Sequence, residues 1–116
     1  MAMPRIGTVL LIDEDVLHAE RLLGRLHFRQ HRVTVCSQPE EGIRLLSQSN
    51  HPCGVVILNV SHSHWHCLKT LRMIRRICSQ AGRHPCPGIL CTSVAYRGPQ
   101  FRLHVERLGA RLVYER

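Results

Sequence analysis

The chain has 116 residues, 44% of them hydrophobic, and its 16 Lys and Arg against 8 Asp and Glu leave a formal charge of +8. That length holds one compact domain, residues 1–116, and such a domain buries roughly 65% of the surface its unfolded chain exposes, which excludes disorder and makes covalent staples unnecessary. The longest aliphatic runs, at 9–12 and 55–58, are four residues each, far short of the ~20 a membrane helix needs, and the opening Met1-Ala2-Met3-Pro4-Arg5 has no signal-peptide pattern, so a cytoplasmic protein without membrane contact is expected.

Apolar runs of strand length alternate with amphipathic stretches of helix length, the pattern of a parallel sheet covered by helices. The first strand runs from Thr8 to Ile12, apolar throughout as if buried on both faces, and stops at Asp13-Glu14-Asp15. A helix follows from Val16 to Phe28, with Ala19, Leu22, Leu23 and Leu26 as its buried stripe and Arg21, Arg25 and Arg29 on another face. Arg32 to Cys36 is the second strand. Pro39, Glu40 and Glu41 then open a helix, with the proline in its first turn and the acids at the positive end of its dipole, and Ile43 and Leu46 face inward. The third strand, Gly54 to Leu58, is the most apolar and is placed at the centre of the sheet. A polar loop, Asn59 to His66, leads to a helix from Leu68 to Ser79 with Leu71, Ile74 and Cys78 on one face. Gly88 to Thr92 is the fourth strand. A short helix with Phe101, Val105 and Leu108 inward ends at Gly109, where a helix C-terminal glycine belongs, and Arg111 to Tyr114 is the fifth strand.

The six cysteines form no Cys-x-x-Cys pair and read as small buried hydrophobes. Of the positive charges only Lys69 is not arginine. With so few aromatics a stacking platform for bases is poorly supported, and a solvated basic surface is the simpler reading.

In an open parallel sheet the ligand crevice lies beyond the carboxyl ends of the strands. The residues there are Asp13, Glu14 and Asp15, then Asn59, then Thr92 and Ser93, then Glu115 and Arg116. Acids, an amide, hydroxyls and a cation on one rim make a polar cluster that no core requirement explains.

The succession Val9-Leu10-Leu11-Ile12-Asp13-Glu14-Asp15, Val55-Val56-Ile57-Leu58-Asn59, Ile89-Leu90-Cys91-Thr92-Ser93 and Gly109-Ala110, with a basic residue seven positions after the glycine, resembles the receiver domain of two-component response regulators over nearly the whole chain. Leu68, Leu71, Arg72, Ile74 and Arg75 also fall where that family's third helix places such residues. The resemblance implies a flavodoxin-like three-layer α/β sandwich, a five-stranded parallel sheet of order 2-1-3-4-5. In the family, acids after the first strand hold Mg²⁺, an aspartate after the third accepts a phosphoryl group, and a hydroxyl and a lysine after the fourth and fifth sense it.

Departures from the family pattern decide the expected function. Asn59 stands at the acceptor position, and a neutral amide cannot form an acyl phosphate. Asp13 and Glu14 then remain as the only negative ligands, so no cofactor is expected and Mg²⁺ binds weakly or not at all. Arg116 replaces the lysine, and an Arg116 to Asp13 ion pair would substitute for the metal. The switch hydroxyl is Thr92 or Ser93, depending on the direction of counting. The aromatic of the fifth strand falls at Val113, with Tyr114 one place off and facing the opposite side. The expected protein is an atypical, non-enzymatic receiver that acts by docking a protein partner such as an output domain or histidine kinase, with transcription regulation as one outlet.

Two rival readings rest on other residues. His62, His64, His66 and Cys67 alternate beside the acceptor position and suit a soft metal if the chain there is extended, which would make a metal or redox sensor. The tripeptides His51-Pro52-Cys53 and His84-Pro85-Cys86 would lie side by side at the opposite end of the sheet. A nucleic-acid binder would use Arg21, Arg25, Arg29 and Arg75, and is disfavoured. The family's fifth helix is missing or truncated in this sequence, so the chain is expected either to be a piece of a longer regulator or to cover the bare face with a second copy as a homodimer.

Overall fold

The two four-residue aliphatic runs, 9–12 and 55–58, are too short for helices and too apolar for loops and become strands, and each of the first four strands is followed by a helix that returns the chain for the next. The computed structural model describes residues 8–29, 31–48, 50–60, 64–83 and 86–115. Its elements are β1 (Thr8–Ile12), α1 (Val16–Phe28), β2 (Arg32–Cys36), α2 (Pro39–Leu46), β3 (Val55–Asn59), α3 (His64–Gln80), β4 (Gly88–Ser93), α4 (Pro99–Arg107) and β5 (Ala110–Tyr114). The strands form one parallel sheet of order β2-β1-β3-β4-β5, the flavodoxin-like order expected from the sequence. Strand order reverses between β1 and β3, which opens a crevice at their carboxyl ends.

Side chains alternate across the sheet, and the two faces are unequally covered. Leu10, Ile12, Val56, Leu58, Ile89, Cys91, Ala110 and Leu112 pack with Leu46 of α2, Leu71 and Ile74 of α3, and Phe101 and Val105 of α4. On the other face Val9, Leu11 and Ile57 meet only Ala19 of α1, with Leu22, Leu26, Val33 and Leu90 half-buried around them. Val55 and Val113 stay 39% and 43% exposed.

Helix ends are closed by particular residues. Asp15 caps α1, its carboxylate accepting from the His18 backbone N–H at 3.1 Å. Pro39 opens α2 with Glu40 and Glu41 in the first turn, as expected. Arginines satisfy carbonyls that helix termini leave unpaired. Arg83 donates to the Leu46 and Gln48 carbonyls at 2.9 and 2.6 Å, and Arg75 donates to the Leu108 carbonyl at 2.8 Å. Beyond α4, Gly109 takes a positive φ of 79° and donates to the Glu106 carbonyl at 2.9 Å.

The one large boundary error concerns α3, which begins at His64 and not at Leu68. Its first turn carries no apolar stripe, so periodicity locates the helix only where Cys67, Leu68 and Leu71 meet the core. Smaller shifts bring Asn59 into β3, Ser93 into β4 and Ala110 into β5. Among the described residues no helix is long and apolar enough to cross a membrane.

Candidate functional site

Asp13 is the first residue past β1, and its backbone N–H still donates to the Cys36 carbonyl at 2.9 Å, which keeps it aligned with the sheet. Only 2% exposed, it uses both carboxylate oxygens. Oδ1 accepts from the Asp15 backbone N–H and from Asn59 Nδ2, each at 2.9 Å, and Oδ2 is bonded to Nδ1 of His18. The other ring nitrogen of His18, Nε2, is bonded to Oε2 of Glu115 just past β5. Thr92, opposite Asn59 in the β3–β4 register, donates through Oγ1 to Asn59 Oδ1 at 3.4 Å. One hydrogen-bonded chain thus runs Thr92, Asn59, Asp13, His18, Glu115 across the carboxyl rim of the sheet.

Both ring nitrogens of His18 are bonded to carboxylate oxygens, and an ionised carboxylate can only accept a hydrogen bond. Burial lowers the His18 pKa, but hydrogen bonds to Asp13 and Glu115 and the negative charge of both outweigh it, and the value is raised above that of an ordinary histidine. Beside this chain, Glu14, Pro39, Leu58, Asn59, Val60, His66, Cys67 and Thr70 enclose a cavity of about 20 Å³. That is room for one water and far less than the ~300 Å³ at which small-molecule pockets begin.

The architecture is shared with solved structures. The receiver domain of the histidine kinase CKI1 from Arabidopsis thaliana, complexed with Mg²⁺ and BeF₃⁻, superposes with a TM-score of 0.78 at 16% identity, over 95% of this chain and 81% of that one. A response regulator from Thermotoga maritima gives 0.75 at 19% identity, over 96% and 86%. Chemotaxis protein CheY4 of Vibrio cholerae gives 0.72 at 14% identity, also over 96% and 86%. The chain has the CheY-like receiver fold. No family model matches the sequence, and no curated protein is similar to it.

On this receiver fold, Asp13, Asn59 and Thr92 come together as their positions after successive strands require, and Glu14 lines the adjoining cavity. Of the two candidate hydroxyls, that of Thr92 is bonded to Asn59, whereas that of Ser93 donates to the Ala95 carbonyl at 2.7 Å. Tyr114 faces away from the exposed Val113. Its hydroxyl accepts from the Arg97 backbone N–H at 3.1 Å, and its ring packs 5.4 Å from Tyr96 with the Arg102 guanidinium over it.

Arg116 lies outside the described residues. The side chain bonded to Asp13 Oδ2 is that of His18, which is not among the rim residues expected from the sequence. A signal existed: a titratable residue in the first helical turn, adjacent to Ala19 of the buried stripe and three positions after the cap. Glu115 belongs to the rim residues expected from the sequence, without a role assigned.

The proposed soft-metal set lies only in part within the described residues. His62 is outside the described residues, and His64, His66 and Cys67 fall in α3 and not in an extended loop. Cys67 is buried and hydrogen-bonded with Cys91, which pushes the Cys91 thiol up. Among the described residues no group of three or more His, Cys, Asp or Glu is placed to hold a metal ion. His84 and Pro85 also lie outside the described residues. Cys53 and Cys86 sit at the amino end of the sheet as free thiols, bonded locally to the Val55 and Arg83 carbonyls.

Mg²⁺ would need oxygens that Asp13 has already committed. Its carboxylate faces an amide N–H₂, a backbone N–H and a ring nitrogen of His18, and a hard cation takes oxygen ligands. As placed, these residues do not fit the ion.

Proposed function

We propose that this chain is a signalling module on the receiver fold that works by docking a protein partner, without phosphorylation of an aspartate and without catalysing a reaction. The observation that carries the reading is Asn59. It occupies the end of the central strand beside the acid after β1, and its amide serves as a hydrogen-bond link between Thr92 and Asp13. An amide nitrogen bonded to a carboxylate has no nucleophilic role. The CKI1 receiver domain is complexed with Mg²⁺ and BeF₃⁻ in its solved structure; on the present reading, an amide at position 59 supplies neither an acceptor carboxylate nor a charged metal ligand.

Support for docking comes from the surface around the rim. Val16 and Leu17 in the first turn of α1, and Val94 and Tyr96 after β4, are 62%, 69%, 68% and 76% exposed. On this reading, these exposed apolar side chains after β1 and β4 are the surface offered to a partner. The kind of partner that the resemblance implies is a histidine kinase or a regulator output domain.

Acetyl phosphate or beryllofluoride with Mg²⁺ tests the reading on the intact chain by mass spectrometry and NMR. No adduct and no shift of the Asn59 or Thr92 amides are expected. A mass increase of one phosphoryl group would overturn it.

A further inference from the structure

In the sheet order, β1 and β5 are separated by β3 and β4, so their ends lie three strand spacings apart, roughly 14 Å. Yet the carboxylates of Asp13 and Glu115 meet on one imidazole ring. Two acids converging on a buried position repel unless a positive charge stands between them, and His18, 8% exposed, is the residue that stands there. The ring enters from the first turn of α1, whose dipole disfavours a cation; the two carboxylates supply the counterweight. We infer that the His18 ring fills the place of a divalent metal in this pocket, tying the end of β5 to the end of β1, and that the pocket takes no Mg²⁺ while the ring is in place.

This deepens the docking reading and rests on it for its consequence, since a rim cross-linked from within presents one constant shape to a partner. The groups facing the ring come from every packed element: Asp13 from β1, Glu115 from the end of β5, the Asp15 cap below it, and Arg21 and Arg25 of its own helix, which line the adjoining groove with Leu22 and Val94. The two arginines favour loss of the ring proton and the three acids favour its retention. The acids alone are in direct contact, the Asp15 carboxylate reaching the His18 backbone N–H and the other two the ring.

The test is an NMR titration of the intact, isotope-labelled chain with MgCl₂, reading the Asp13 and Asn59 amides and the His18 ring nitrogens. In the wild type, both ring nitrogens are expected at protonated positions at neutral pH, with no saturable shift at millimolar Mg²⁺. His18→Ala frees two carboxylates beside Glu14 and is expected to show a saturable shift, with affinity at least roughly tenfold above the wild type, because hard-cation affinity follows the number of charged ligands. Saturable Mg²⁺ binding by the wild type, or equal affinity in both proteins, overturns the inference. If His18→Ala fails to fold, the wild type decides alone: saturable Mg²⁺ binding by it overturns the inference. A phosphoryl adduct would defeat the docking reading through a different measurement, so the two failures are distinguishable.

Discussion

At the scale of single residues, His18 couples charge to stability. Its folded pKa lies above the ordinary value of 6.5, so the folded state holds this proton more tightly than the unfolded chain. That contribution is complete below the unfolded value and disappears as pH rises through the folded one. The thermal midpoint, followed by circular dichroism, should therefore fall over that interval in the wild type. His18→Ala should lose most of this dependence; an identical slope in the two proteins would mean the bridge does not form. Cysteine reactivity is the second residue-scale consequence. Burial and Glu41 push the Cys36 thiol up to about 11, with Arg44 opposing, so thiolate is scarce at neutral pH. Timed alkylation with peptide mapping should modify half-buried Cys53 and Cys86 well before buried Cys36, Cys78 and Cys91. Early loss of Cys36 would contradict this burial.

Among the elements, α4 depends on how it ends. Gly109 has a φ of 79°, and a Cβ there would lie 1.6 Å from Nη2 of Arg75, the side chain that closes the α4 carbonyls. Gly109→Ala adds left-handed strain and displaces that cap, and should cost about 1–3 kcal/mol in urea unfolding with an unchanged m-value. The two helical layers also differ. Leu71 in α3 is fully buried and Leu22 in α1 only half, so Leu71→Ala should cost about 2–5 kcal/mol and Leu22→Ala clearly less. Amide exchange should likewise be faster in α1 than in α3, since protection follows burial. Element order and type were readable in the sequence because Val9–Ile12 and Val55–Leu58 cannot be anything but strands at that length. The start of α3 was unreadable, because His64 to His66 add no apolar period to a turn that precedes the core.

On the scale of the whole molecule, the arginine excess has a structural use. Arg75, Arg83 and Arg102 donate to the Leu108, Leu46 and Leu112 carbonyls. A basic composition here partly reflects carbonyl capping. This weakens the nucleic-acid reading, for which Arg75 was one of four contacts. The local sequence determined the sheet, its register of polar rim residues, and the substitution of an amide for a nucleophile, because strand length, hydrophobic period and residue identity are local properties. The counter-charge of the pocket was decided only by tertiary structure. Arg116 was expected as that charge from its distance along the chain, whereas His18 and Glu115, 97 positions apart, meet because α1 lies against the same sheet face toward which the end of β5 points. Such a meeting is a product of packing in three dimensions, and no periodicity within either segment encodes it.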